Sequence, residues 1–207
     1  RNLSKERSGM FSGIIEEVGT IKSVDTLPKS KKITIACKKV LSEVSIGDSI
    51  SVNGVCLTAT RIDESEFDVD VIQETLERSN LCSLVEGADV NLERAMTYNQ
   101  RVSGHLVQGH VDTQAKIISI NKTDEWTEID FEINSDFKKY CILKGSIAID
   151  GVSLTIAKIT ETGIRVALIP HTLSKTILSG YEMGQMVNIE TDMVGKFIEN
   201  FSGVISE

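Results

Sequence analysis

The chain has no apolar run near the roughly 20 residues that cross a bilayer, and no basic n-region leading into an apolar h-region at its start. A membrane span and a secretory leader are therefore not expected, and a cytoplasmic location is. No CxxC pair occurs: Cys37, Cys56, Cys82 and Cys141 are widely spaced, which argues against a small disulfide framework and for reduced thiols. Clustered positive charge is missing as well. A net charge of -8 and a pI near 5.0 exclude the basic face that phosphate neutralisation needs, so nucleic acid is not an expected partner. The one basic run, Lys29-Ser30-Lys31-Lys32 beside Pro28, reads as a solvated turn. Helical periodicity is scarce. What remains is 207 residues, 41% hydrophobic and 25% charged, the composition of a folded globular protein of one large or two small domains.

Residues 1–9, RNLSKERSG, are polar and lack a period. They read as an expression remnant, with Met10 expected to be the natural start.

A repeat organises the rest. Ser49-Ile50-Ser51-Val52-Asn53-Gly54-Val55-Cys56-Leu57-Thr58 returns 97 positions later as Ser146-Ile147-Ala148-Ile149-Asp150-Gly151-Val152-Ser153-Leu154-Thr155. In that register, 17 of the 45 positions over 49–93 are identical to those over 146–190. Upstream, Gly13-Ile14-Ile15-Glu16 matches Gly109-His110-Val111-Asp112 at a shift of 96, a one-residue slip that a loop tolerates. The boundary is expected between 97 and 106.

Each copy carries short Val-, Ile- and Thr-rich runs with period-two alternation, among them 33–35, 49–52 and 67–72, which predict strands. Asn53-Gly54 and Asp150-Gly151 between such runs predict type I′ hairpin turns. A small barrel or sandwich per copy follows. Thr75 and Thr172 are expected to cap one or two helical turns. In the tail, Val194, Phe197, Ile198 and Phe201 fall at helical spacing after Asp192 as the cap, and a single apolar stripe of this kind needs a partner subunit.

Met10-Phe11-Ser12-Gly13-Ile14-Ile15-Glu16, Asn53-Gly54-Val55-Cys56-Leu57-Thr58, Ser103-Gly104-His105-Leu106-Val107-Gln108-Gly109-His110-Val111-Asp112 and Ile149-Asp150-Gly151-Val152-Ser153-Leu154-Thr155 together resemble the riboflavin synthase family, the lumazine-dismutating type with a duplicated barrel. The resemblance covers everything after Gly9. It implies an all-β fold of two similar six-stranded Greek-key barrels related by internal duplication, plus a C-terminal α-helix that gathers a homotrimer. The expected division is a first lumazine-binding barrel over 10–105, a second over 106–192, and a trimerisation helix with tail over 193–207.

The implied reaction moves a four-carbon fragment between two molecules of 6,7-dimethyl-8-ribityllumazine. It yields riboflavin and 5-amino-6-ribitylaminouracil, with no metal or separate cofactor. Lumazine synthase is a further candidate partner.

By the same resemblance Cys56, Ser49, His110, Ser153 and Asp192 are the expected catalytic set. Cys56 without the family reads as a buried small hydrophobe, and a lone His more often as structural. Thr58 and Thr155 follow two residues after Cys56 and Ser153, on the same strand face. Their hydroxyls are expected at the pteridine edge, and Leu57 and Leu154 between them are expected among the substrate-binding residues.

Gly13, Ile14 and Ile15, and Gly109, His110 and Val111, match the strands that line each pocket, and Lys144 is expected to bond the ribityl chain or a ring carbonyl. The ribityl walls are Asp70, Val71, Ile72, Gln73, Glu74 and Thr75 in one copy, and Ile169, Pro170, His171, Thr172, Leu173 and Ser174 in the other. Phe11 is expected to fold its ring over the N-terminal pocket. His105 and His110, five apart, are expected on opposite strand faces with no further ligand spaced for zinc, and His110 is the better candidate. His171 departs from the pattern, where an acid is expected. Two alternatives stand beside this reading: a non-catalytic lumazine- or flavin-binding protein of the same fold, and a thiol hydrolase built on Cys56 with a histidine.

Overall fold

The computed structural model describes residues 9–204, with side chains to 202. Most of the proposed remnant, 1–8, and the last residues of the tail lie outside the described residues.

Alternation builds the strands. In β4 (Val55–Ile62), Val55, Leu57 and Ala59 are buried, Cys56 is half-buried, and Thr58 and Thr60 are exposed. One edge of the pleat therefore enters a core and the other faces outward. Alternation recurs over parts of β1 (Glu17–Leu27), β2 (Ser30–Ala36) and β5 (Glu66–Ile72), whereas β3 (Ser49–Val52) is buried throughout and β6 (Asp89–Arg94) over its four central residues. These six antiparallel strands close in the order β1-β2-β5-β4-β3-β6.

The second copy supplies β7 (Thr113–Lys122), β8 (Thr127–Glu132), β9 (Ser146–Ile149), β10 (Val152–Ile159), β11 (Gly163–Leu168) and β12 (Met186–Thr191), closed in the equivalent order. Closure leaves neither sheet an open edge. Ile33, Ile35, Phe67, Val69 and Leu92 fill the first barrel, and Ile117, Ile129, Phe131, Val166 and Ile189 the second. Each such burial stabilises by about 1.5–3 kcal/mol.

The repeat slip lies between strands, where β2 and β3 are joined by residues 37–48 and β8 and β9 by the longer 133–145. The extra residue accompanies a short helix, α2 (Ser135–Lys138), capped by the Asn134 side chain accepting from Asp136 N at 3.0 Å.

Two expectations about local structure fail. Of the basic run, only Lys29 lies in the turn, while Ser30, Lys31 and Lys32 begin β2. Lys32 Nζ pairs with the buried Asp68 at 2.9 Å and Lys31 Nζ donates to Cys82 O at 2.6 Å, so cross-strand partners hold the charges in a strand.

Thr75 and Thr172 are not N-caps. The helices are α1 (Gln73–Arg78) and α3 (Pro170–Lys175), entered from Ile72 and Ile169 without a side-chain cap. Strands β5 and β11 run straight into them, and Pro170, pre-set for the first helical position, begins the second one at that point. Both threonines sit inside the first turn.

The hairpin turns form as expected, with φ of 47° and 78° at Asn53 and Gly54, and 42° and 80° at Asp150 and Gly151. They also abut each other. A Cβ on Gly54 would lie 2.6 Å from Gly151 N, and one on Gly151 2.7 Å from Gly54 N, so the barrels meet tip to tip across a local pseudo-twofold.

A buried polar network seals the contact. Asp150 accepts from Tyr181 OH at 2.7 Å, Asn188 N at 2.7 Å and Asn80 Nδ2 at 2.9 Å. Asn188 Nδ2 donates to Asn53 O, and Asn91 Nδ2 to Asp150 O. Burial pushes the Asp150 carboxyl up to about 7, opposed by those donors.

The tail forms α4 (Met193–Val204), and Asp192 caps it by accepting from Val194 N at 3.0 Å.

Candidate functional site

Two segments leave their own barrel and cross to the other. Residues 12–16 and 108–112 precede β1 and β7 without being strands themselves. Gly13 O accepts from Ser153 N at 2.8 Å, and Gly109 O accepts from Cys56 N at 2.8 Å. Ile15 packs on the core of the second barrel and Val111 on that of the first.

The approach is close enough to demand glycine. A Cβ on Gly13 (φ 75°) would lie 2.6 Å from Ser153 Cβ, and one on Gly109 (φ 76°) 2.6 Å from Cys56 Cβ. The two straps pair with each other at the centre, Phe11 N donating to Val107 O at 2.7 Å and Val107 N to Phe11 O at 3.0 Å.

A carboxylate behind each strap holds it. Glu93 on β6 accepts from Ser12 N, Ser12 Oγ and Gly13 N at 2.8, 2.7 and 3.0 Å. Glu190 on β12 accepts from Gln108 N, Gly109 N and His110 N at 2.6, 2.9 and 3.0 Å. Burial raises both carboxyls against those donors, Glu190 to about 7.

Each candidate pocket is thus an outward barrel face roofed by the other copy's strap. The first has Cys56 and Thr58 on β4. The pairing of Ala59 with Val69 puts Asp70 level with Thr58, and the overlying strap carries His110. The second has Ser153 and Thr155 on β10, Ala167 in the place of Asp70, and a strap carrying Ile14.

Several expectations change accordingly. The strap of Gly13, Ile14 and Ile15 lies against the second barrel, and that of Gly109, His110 and Val111 against the first. Phe11 does not cover the N-terminal pocket: it is completely buried between the barrels with Val107 and Ala148, against Cys56 and Ala95. Its ring fills the seam that the paired straps create. His105 and His110 are not on a strand, because Gly109 turns the chain between them. His110 is exposed and His105 half-buried.

Leu57 and Val71 point into the first barrel core, which leaves their backbone alone for a ligand. Leu154 and Leu173 pack partly against the second core. Asp70, Ile72, Gln73, Glu74, Ile169, Pro170, His171 and Ser174 form exposed rims, with Thr75 and Thr172 half-buried. Glu74 pairs with Arg78 at 3.3 Å, and nothing in the structure explains its exchange for His171.

Lys144 takes φ 65° where the first copy has Gly47 at φ 94°. Its N–H still donates to Ile156 O at 2.9 Å, as that of Gly47 does to Ala59 O. A side chain is thus held in a conformation that costs about 1–2 kcal/mol.

Two polar clusters distinguish the pockets. Burial raises the Cys56 thiol above its ordinary value, with the buried Ser49 side chain opposing the rise and the Glu190 charge adding to it. A protonated thiol without an imidazole in this balance does not suit a thiol hydrolase.

In the second pocket, His105 Nδ1 lies 2.7 Å from Ser153 Oγ. Burial lowers the His105 imidazole and the Asp192 carboxylate opposes the shift. Sequence reading ranked His105 below His110, and only the fold over of the strap brings it to Ser153. Among the described residues no group of three or more His, Cys, Asp or Glu is placed to hold a metal ion.

Comparison with known proteins agrees with this duplicated architecture. The lumazine binding domain family matches the chain twice, over residues 12–95 and 108–192. A riboflavin synthase from Bacillus subtilis (strain 168) is 47% identical over 192 residues, 93% of this chain and 89% of that relative. One from Schizosaccharomyces pombe is 39% identical, covering 92% of both. The crystal structure of LumP complexed with riboflavin superposes with a TM-score of 0.82 at 26% identity, covering 88% of this chain and 99% of that one. A second, of LumP complexed with 6,7-dimethyl-8-(1'-D-ribityl) lumazine, gives 0.80. The chain is therefore a protein of two lumazine binding domains. It belongs to the riboflavin synthase family.

Proposed function

We propose that the chain is a riboflavin synthase, a transferase that dismutates two molecules of 6,7-dimethyl-8-ribityllumazine to riboflavin and 5-amino-6-ribitylaminouracil by moving four carbons from one to the other. The observation that carries this reading is that both copies keep the same parts: a Cys or Ser followed two residues later by Thr on the outward face of β4 or β10, beside a glycine strap held by Glu190 or Glu93. A carrier of one ligand needs one such face, whereas a reaction between two identical molecules needs two. Holding two reactants in register removes roughly 7–11 kcal/mol of barrier.

The reacting pair is formed between chains in this proposal, the first pocket of one subunit against the second of its neighbour in a cytoplasmic homotrimer. Support comes from α4. Lys139 and Tyr140 bind its Glu199, and Lys196 Nζ pairs with Asp112 at 2.7 Å. Val194, Phe197, Ile198 and Phe201 stay more than half exposed, an apolar stripe beside Asp192 that a neighbouring subunit would cover. Lumazine synthase is a proposed partner.

Incubating the purified protein with 6,7-dimethyl-8-ribityllumazine should consume two molecules for each riboflavin formed. Binding without riboflavin would instead make it a carrier of the LumP kind. Truncation after Asp192 should give monomers by sedimentation with little turnover, and a fully active monomer would defeat the shared-site arrangement.

A further inference from the structure

The two straps are anchored at their ends in different ways. The strap of 12–16 ends on Glu16, which accepts from Arg94 N at 2.9 Å and from Arg94 Nη2 at 2.7 Å. Arg94 belongs to β6, so this anchor lies within the first barrel. Its counterpart in the repeat, at a shift of 97, is Thr191. Thr191 donates its N–H and its hydroxyl to Asp112 Oδ2 at 2.8 and 2.7 Å, but it brings no charge to the end of the strap of 108–112.

The charge comes from outside the repeat. Lys196 Nζ on α4 lies 2.7 Å from Asp112 Oδ1, and with 29% and 14% of their side chains exposed the two are better shielded than a surface pair. Both carboxylate oxygens of Asp112 are thereby occupied. The helix that presents this ammonium is itself docked: Asp192 caps it, Lys139 and Tyr140 bond Glu199, and a Cβ on Gly195 would touch Tyr140 at 3.4 Å. Lys196 also acts on the other support of the same strap. Burial raises the Glu190 carboxyl, and the Lys196 charge is among the groups that oppose the rise. One ammonium thus serves both carboxylates that hold residues 108–112. Among the described residues, the chain between β6 and β7 forms no helix, so the first copy has no counterpart of α4.

We infer that Lys196 is a positioning residue of the first candidate pocket: from α4 it fixes Asp112, and with it the strap that presses Gly109 on Cys56 and carries His110. The inference rests on reading that pocket as a lumazine site. Its consequence is one-sided. Displacing α4, which also bears the apolar stripe, loosens the strap over the first pocket and leaves the strap over the second, tied to Arg94, in place.

The test uses the full chain as wild type, Lys196→Met, Asp112→Asn, those two combined, and Lys196→Arg. Amide hydrogen exchange reads the straps directly, and sedimentation reads the subunit state. In Lys196→Met the N–H groups of Gln108, Gly109 and His110 should exchange roughly fivefold faster, the upper end of what exposed charge pairs contribute, while those of Ser12 and Gly13 keep their rates. Affinity for 6,7-dimethyl-8-ribityllumazine should fall by a similar factor at one of two sites. Asp112→Asn should match, the double variant should lose no more than the larger single loss, and Lys196→Arg should restore wild-type behaviour. The subunit state should stay that of the wild type throughout.

Faster exchange in both straps or in neither, equal weakening of both sites, a Lys196→Arg variant that restores nothing, or a changed subunit state would overturn the inference. Wild type that binds no lumazine would sink the reading of the site instead, and the exchange rates would still decide whether Lys196 anchors the strap.

Discussion

The two pockets share a backbone and differ in their chemistry. Both consist of a pleat face, a glycine strap and a buried glutamate, and these parts superpose through the repeat down to the Gly13–Ser153 and Gly109–Cys56 hydrogen bonds. The side chains then diverge. Cys56 with Ser49, Asp70 and His110 falls on the first candidate face, and Ser153 with His105 on the second. Duplication supplied two like faces, and substitution at a few outward positions made them unequal. A dismutation needs that inequality, because one ligand must give the fragment that the other accepts.

The largest test of the comparison exploits the crossing straps. Gly109→Ala should disable the first pocket and Gly13→Ala the second, each change striking the barrel that the residue does not belong to. The left-handed backbone costs about 1–2 kcal/mol for alanine, and a Cβ 2.6 Å from Cys56 or Ser153 adds a clash with the strand itself. Two-site lumazine titration should show one site lost in each variant. Loss in the residue's own barrel would mean that the straps do not cross.

A second prediction concerns the seam. Asp150 and Asn53 are equivalent, yet only the acid is titratable. Its folded value near 7 lies above the ordinary 3.8, so the folded protein holds more protons between about pH 4 and 7 and stability falls as pH rises through that window. Glu190, raised from 4.5 to about 7, acts in the same direction.

Asp150→Asn keeps an oxygen for Asn188 N and Asn80 Nδ2, and its amide can donate to the Tyr181 hydroxyl. The variant should flatten part of the pH dependence of denaturant unfolding and raise stability at pH 8 by a few kcal/mol, an order-of-magnitude value. An unchanged slope would show that Asp150 ionises without cost.

The smallest effect is expected at Thr75 and Thr172. Since neither caps its helix, alanine at either should change stability by less than about 0.5 kcal/mol, against about 1 kcal/mol for a true N-cap. Equal, small losses in α1 and α3 would confirm that the strands, not caps, start both helices.

Much of this was legible in the sequence. Period-two alternation marked the strands of 49–52 and 67–72, positive-φ dipeptides marked both hairpins, and self-similarity marked the two barrels, because all three signals are local or repeat in register. The helical spacing after Asp192 was legible for the same reason. The placement of Lys31 and Lys32 was not, since their strand conformation depends on partners at Cys82 and Asp68, far along the chain.

The sequence by itself determined the strand pattern, the duplication and the chemical types at each outward position, since these follow from residue order and side-chain alternation. Only the tertiary structure decided which strap roofs which face, that Phe11 is interred in the seam, and that His105 rather than His110 touches Ser153. Those outcomes depend on a crossing between barrels, held by Glu93 and Glu190 across about 80 residues of chain. No local pattern encodes such a crossing, because its energy resides in buried hydrogen bonds between segments that meet only after both barrels have closed.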